Sequence, residues 1–285
     1  MTHRRISIIA IAAAAALTLA GCSAEEPAAS AADSECTPVH EGLETIKAGV
    51  LTVAHYDYPP FATVENGELV GVEGEVLNKI AEMECLDIES VEGDSAAMIS
   101  SVATGRADTT LGSWYRTAER AKTVRLGAPI VTSPLAIVSA TGMESADDLL
   151  DGGQIGVGQG LVANEDLQAL LGSSLSLYPN IDAAFSDLQS GRIQGVVLGL
   201  GAAITQLELN PVDDAEILPI EPDDRIKSTV SPGQTNFPVA LDAEALGEAM
   251  DDGIQTIRES GELEEIAVKY GFPAETADPG EPNEL

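Results

Sequence analysis

Few side chains in this 285-residue sequence can do chemistry: it has three His, three Cys and one Trp. His55 stands alone at the end of an apolar run. No second His or Cys is placed to share a metal with it, so it reads as a wall residue and no metal site is expected. No Gly-x-Ser-x-Gly nucleophile turn occurs. The run Gly156-Val157-Gly158-Gln159-Gly160 resembles part of a dinucleotide fingerprint but lacks its six-residue spacing, and no cofactor is expected. Glu73 and Glu75 have the right type for acid–base work, although carboxylates at a helix start equally well serve the helix dipole. Arg120 could grip a carboxylate, because a guanidinium forks onto one through two charge-assisted hydrogen bonds. Its bland alternative is a solvated charge beside Lys122 and Arg125. Five of the ten aromatic residues, Tyr56, Tyr58, Phe61, Trp114 and Tyr115, fall on two loops of the first half. Phe61 is expected in the core. The others could enclose an alkylated ammonium at about 0.5–2 kcal/mol per ring, or stack a ring-bearing ligand.

The charge balance excludes whole classes of partner. There are 47 acidic and 14 basic side chains, a net charge of −33. Such a surface repels phosphate backbones, so no nucleic acid is expected. It equally opposes docking on anionic lipid through a basic patch. Hydrophobic residues at 44 % and charged residues at 21 % are ordinary for a globular chain.

The first residues read as an address. Arg4 and Arg5 precede an apolar run over 8–20, too short for a bilayer core that needs about 20 residues. It ends Leu19-Ala20-Gly21-Cys22, which resembles a bacterial lipobox, with Cys22 as the lipidated residue of the mature protein. The alternative is an ordinary signal peptide with Cys22 incidental. Two or more acyl chains suffice for stable membrane anchoring. The expected organisation is a signal peptide over 1–21 and a lipidated flexible tether over 22–37. With Cys22 set aside, Cys36 and Cys85 are an even pair in an exported chain. A disulfide between them would close a loop of about 50 residues, worth roughly 4 kcal/mol in the chain-entropy model; the alternative is two buried thiols.

The body must position those loops. Residues 51–54 read as a buried strand, 75–83 and 95–103 as helices, and 107–111 as a strand. Alternation of this kind implies a parallel sheet in an α/β fold. The order helix, Gly-Arg turn, strand, Gly at 94–112 returns at 182–199, which suggests two lobes on one plan. Ser145 with Asp148 reads as a helix start in the second lobe, and 154–157 as that lobe's first strand. Apolar strands at 135–139 and 236–241 lead into and out of it. Helices over 242–259 and 262–270 are expected to pack back on the first. The lobes are expected at 38–140 plus 234–272 and at 141–233, with a disordered acidic tail at 273–285. Two connecting strands make a hinge with a cleft between the lobes.

These residues in this order resemble a known family. Gly49 to Val53, Tyr58-Pro59-Pro60-Phe61 and Gly71 to Val76 resemble its opening strand, loop and helix. Gly105 to Asp108 with Thr117-Ala118-Glu119-Arg120 resembles its signature loop. Ser133 to Val138, Ile155 to Gly160, and Gly261 with Lys269-Tyr270-Gly271 follow in order. The family is the extracellular solute-binding proteins of polar amino acid ABC transporters, family 3. The resemblance implies a two-lobed periplasmic-binding-protein-like fold of type II, each lobe a sheet flanked by helices. It implies a monomer that closes on a small carboxylate-bearing solute (an amino acid, betaine or relative) and delivers it to an ABC permease, with no catalysis.

By the same resemblance Arg120 grips the ligand carboxylate, Ser113 touches the ligand, and Tyr58 covers its side chain. Gly158-Gln159-Gly160-Leu161 supplies backbone N–H groups at a helix start. With Tyr56, Glu73, Trp114 and Tyr115 these make the expected ligand site. One departure is chemical: the family places an Asp for the ligand ammonium where this chain has Gly199. Either Glu73 or Asp57 replaces it, or the ligand has no ordinary α-ammonium. Two other readings remain. One is an enzyme on the same scaffold, such as a prephenate dehydratase, using a cleft carboxylate like Glu73. The other is a surface sensor without transport.

Overall fold

The structure, a computed structural model, describes residues 36–161 and 163–285. The signal segment, Cys22 and the tether up to residue 35 lie outside the described residues. Cys36 and Cys85 are disulfide-bonded.

Two apolar runs become the central strands of two sheets. The first is β1 (Val50–His55), almost wholly buried. It carries a hairpin of β2 (Thr63–Glu65) and β3 (Glu68–Val70), then α1 (Val72–Met83). Next come β4 (Asp87–Glu92), α2 (Ser95–Ala103) and β5 (Thr109–Leu111). The sheet order is β4-β1-β5, parallel throughout. A parallel strand with helices on both faces has no wet side, which is why β1 lacks polar alternation.

Helix α1 begins three residues before its expected start. Val72, Val76, Leu77, Ile80 and Ala81 form its buried stripe. Gly71 makes the earlier start possible. Its φ is +98°, and a Cβ there would sit 2.4 Å from the Phe61 carbonyl oxygen. Only glycine tolerates that turn.

The chain then crosses to the second lobe through β6 (Thr132–Ser133) and enters β7 (Leu135–Ser139). There follow α3 (Ala146–Asp151), β8 (Ile155–Gly158), α4 (Asn164–Leu171), β9 (Leu175–Tyr178), α5 (Ile181–Gln189) and β10 (Gly195–Gly199). Then come α6 (Leu200–Leu209), β11 (Glu216–Pro219) and the short α7 (Lys227–Val230). The sheet order is β11-β7-β10-β8-β9, with β8, β9 and β10 parallel and β7 and β11 running against their neighbours. Ser145 caps α3 in the expected box with Asp148. The repeated order also holds: α2 leads through Gly105-Arg106 to β5, and α5 through Gly191-Arg192 to β10.

The return crossing is β12 (Gly233–Gln234), which pairs with β6 as an antiparallel ribbon. Helices α8 (Glu244–Glu259) and α9 (Glu262–Lys269) pack back on α1. This is the two-lobed, type II α/β architecture.

Three expectations change. Residues 135–139 are a full strand of the five-stranded sheet, so the outward crossing lies before Pro134 rather than at 140. Residues 236–241 are not a strand; the paired residues are 233–234, with single bridges at Thr235 and Val239. The segment 273–285 is not without a place. It contains a 3-10 turn at Ala274–Ala277, with Thr276 and Ala277 buried. Its later carbonyls accept hydrogen bonds from Gln234 and Arg116. Backbone bonds to side chains elsewhere leave no periodicity in the segment's own sequence.

The main core runs through both lobes. Phe61 stacks on Tyr58, meets Phe272 edge-on, and lies so close to Gly201 of α6 that a Cβ there would stand 2.2 Å from its ring. Thr205 adds a hydrogen bond to the Pro59 carbonyl at 2.7 Å. Truncating Leu77, fully buried in this core, to Ala should cost about 2–5 kcal/mol. The half-exposed Val91→Ala should stay within about 0.5 kcal/mol. Urea unfolding midpoints of the two variants check the contrast.

Candidate functional site

The site grows from the loop after β5. Gly112 has φ +131° and Ser113 φ +58°. A Cβ on Gly112 would stand 2.2 Å from the Tyr56 ring, so this turn requires glycine. The turn aims two successive N–H groups inward. Both donate to the Glu73 carboxylate, from Gly112 at 2.8 Å and from Ser113 at 3.0 Å. Glu73 is fully buried. It bonds the loop and, although expected in the ligand site, is not in the lining of the cavity described below. Its early position in α1 places it there. Burial pushes its pKa up to about 7, against the opposing pull of the two N–H donors.

Other bonds fasten the same loop. The Tyr56 hydroxyl donates to the Gly112 carbonyl at 2.7 Å, and the Trp114 indole N–H to the Leu111 carbonyl at 3.1 Å. Asn236 Nδ2 donates to the Trp114 carbonyl at 2.7 Å. The Arg116 N–H donates to the Gln234 carbonyl at 2.9 Å, which ties the loop to the return crossing.

These bonds present Arg120. Its Nη1 donates to the Tyr115 carbonyl at 2.6 Å, and its Cζ lies 4.9 Å from the centre of the Trp114 ring. Among the described residues no carboxylate forms an ion pair with it. Burial lowers its pKa, but a guanidinium keeps its proton at neutral pH.

Arg120 opens into a cavity of about 740 Å³, within the usual size for small-molecule sites. Tyr115, Thr117 and Arg120 line it from the first lobe; Leu135, Leu161, Glu165, Asp166 and Gly199 line it from the second. Of the expected ligand residues, the cavity therefore gathers Tyr115, Arg120, Leu161 and Gly199. Tyr56, Tyr58, Ser113, Trp114, Gln159 and Gly160 are not in its lining. Gln159 and Gly160 are exposed, and the Gln159 N–H donates to the Tyr178 carbonyl at 2.8 Å. Asp57 is exposed.

The aromatics form a chain, not an empty box. Tyr58 to Tyr56 is 5.3 Å and Tyr56 to Trp114 is 5.8 Å between ring centres. Arg120 already occupies a face of Trp114. Burial raises the hydroxyl pKa of Tyr56, of Tyr115 and, to about 12, of Tyr58. Glu75 serves the outside of the lobe, pairing with Lys269. His55 is buried at the end of β1, and burial lowers its pKa.

Two acids escaped the sequence reading. Glu165 and Asp166 occupy the first turn of α4, right after the 158–161 loop, and line the cavity. Asp166 accepts the Lys227 N–H at 3.0 Å and pairs with the Lys227 ammonium at 3.8 Å, and Lys227 lines the cavity too. Their position just past that loop was the available signal. Gly199 itself has room: a Cβ there would meet only the Tyr115 hydroxyl, at 3.9 Å.

The buried carboxyl predicts a pH signature. Its pKa of about 7 stands above the ordinary 4.5. The folded protein thus keeps a proton that the unfolded chain has released, and stability falls as pH rises from about 4.5 to 7. Glu73→Gln should remove a fall of about 3 kcal/mol over that window. Unfolding curves of both proteins at several pH values check this; parallel pH dependences would refute it.

A family model for bacterial extracellular solute-binding proteins, family 3, matches residues 51–273. The chain is 21 % identical over 269 residues to a protein of Neisseria gonorrhoeae described as a probable histidine-binding protein, covering 92 % of this chain and 94 % of that one. In structure it is similar to the second substrate-binding domain of Lactococcus lactis GlnP in its open conformation. The TM-score is 0.66 at 23 % identity, over 80 % of this chain and 98 % of that one. It is also similar to an ancestral cationic amino acid solute-binding protein, with TM-score 0.65 at 20 % identity over 79 % and 96 % of the two chains. The match over most of the chain shows that this protein belongs to the bacterial extracellular solute-binding proteins, family 3.

Proposed function

We propose that the protein is the substrate-binding lipoprotein of an ABC importer, acting as a monomer. It closes its two lobes on a small carboxylate-bearing solute and delivers that solute to a permease. Lipidation at Cys22 holds it to the membrane. The observation that carries the reading is Arg120: a cation without an acidic partner among the described residues, fixed by Trp114 and the Tyr115 carbonyl, facing an inter-lobe cavity. A ligand carboxylate would satisfy its remaining donors by a charge-assisted fork. Family membership supports solute binding, and the relative described as histidine-binding supports an amino acid or close derivative. In this reading Glu165, beside an Asp166 already held by Lys227, offers the ammonium acceptor that Gly199 lacks. The dehydratase alternative took Glu73 as its cleft carboxylate, and Glu73 is buried outside the cavity lining with its oxygens on two N–H groups.

A thermal-shift screen over the twenty amino acids, glycine betaine and aromatic acids tests this. Ligand at about 100 times its Kd adds roughly 2.7 kcal/mol of stability, or roughly 5–10 °C in Tm for a chain of this size. Arg120→Ala should remove the shift, because truncating one partner of a buried charge pair costs about 2–5 kcal/mol. A full shift in that variant, or none in the native protein, would overturn the reading.

A further inference from the structure

We propose that residues 279–285 form a wall of the ligand cleft and limit the size of solute it admits. This rests on the binding function proposed above. The segment lies beyond the family-matched residues, which end at 273, yet Glu284 and Leu285 line the same cavity as Arg120.

A dedicated set of bonds holds it there. Gln234, on the return crossing, is only 1 % exposed. Its Nε2 donates to the carbonyls of Pro279 at 2.8 Å and Glu281 at 2.9 Å, and its Oε1 accepts the Asn283 N–H at 2.8 Å. A buried amide thus gives both its ends to this one segment. Beyond it the chain pairs with the stretch that leads to Arg120. The Leu285 N–H donates to the Arg116 carbonyl at 3.1 Å, and the Ala118 N–H to the Leu285 carbonyl at 3.3 Å. Arg116 Nε adds a bond to the Asn283 carbonyl at 3.2 Å.

Gln234 is buried, so both ends of its amide need partners, and this segment supplies them, which fixes its place against the return crossing. The segment brings Leu285, together with the acidic Glu284, into the lining of the cavity that also holds Tyr115 and Arg120. A ligand whose carboxylate meets Arg120 therefore has its reach in that direction bounded by Leu285. Removing the wall opens the cleft to longer solutes; enlarging the side chain closes it to all but the shortest.

The experiment compares the native protein, a chain shortened after Asp278, and the full-length Leu285→Trp variant, which stands even if the shortened chain fails to fold. The probes are the twenty L-amino acids, glycine betaine and the matching glycyl dipeptides, titrated calorimetrically. The shortened chain should bind dipeptides at least about tenfold tighter relative to free amino acids, and Leu285→Trp should weaken the bulkier amino acids by about tenfold while sparing the smallest, since even one methylene in a pocket is worth that much. Unchanged preferences in both variants, with binding intact, would overturn the wall alone. No binding of any probe by any of the proteins would overturn the binding function and the wall with it.

Discussion

A carboxylate with no access to water holds the first-lobe loop in shape. Glu73 accepts two successive backbone N–H groups from a turn whose residues both lie in left-handed territory. Consecutive N–H groups turned the same way form a small concavity that favours an anion. Without that acceptor two donors would be stranded, at about 1–3 kcal/mol each. The loop so held carries Trp114, Tyr115 and Arg120 in one sweep. Because the same loop is bonded to Gln234 and Asn236, the shape of the site and the position of the return crossing are set together.

Much of the fold was legible because it is periodic. The stripe Val76, Leu77, Ile80 marked α1, and the capping pair Ser145 and Asp148 marked α3. The helix, Gly-Arg turn and strand repeated in both lobes as read. What escaped was structure made by distant partners. The true crossing strands are two residues each, too short for any pattern to mark. The place of the 279–285 segment depends on a glutamine some 45 residues away in sequence. In the site, the Thr117-to-Arg120 motif pointed to a loop that does line the cavity. The burial of Glu73 was not legible because residue type says nothing about depth: α1 starts three residues early and sets this carboxyl on the N–H groups of the loop, outside the cavity lining. Glu165 and Asp166 were passed over because acids on a first helical turn have an ordinary explanation.

The field around this cation is strongly negative. The chain's net charge is −33, and among the described residues Arg120 lines the cleft with no carboxylate paired to it, while Lys227 there pairs with Asp166. At physiological salt, charges beyond about 8 Å are largely screened, so Arg120 dominates at contact while the surface dominates approach. A bare anion meets repulsion before it reaches the guanidinium. A zwitterion or a net cation with a carboxylate meets none.

The contact between Arg120 and Trp114 has an optical side. The chain contains one tryptophan, and its ring faces the guanidinium that the ligand would engage. An indole's emission responds to charge and solvent at its face. Any shift of Arg120 on ligand binding is therefore written into the fluorescence of a single residue, with no second indole to dilute it, and the cleft reports its own occupancy without a label.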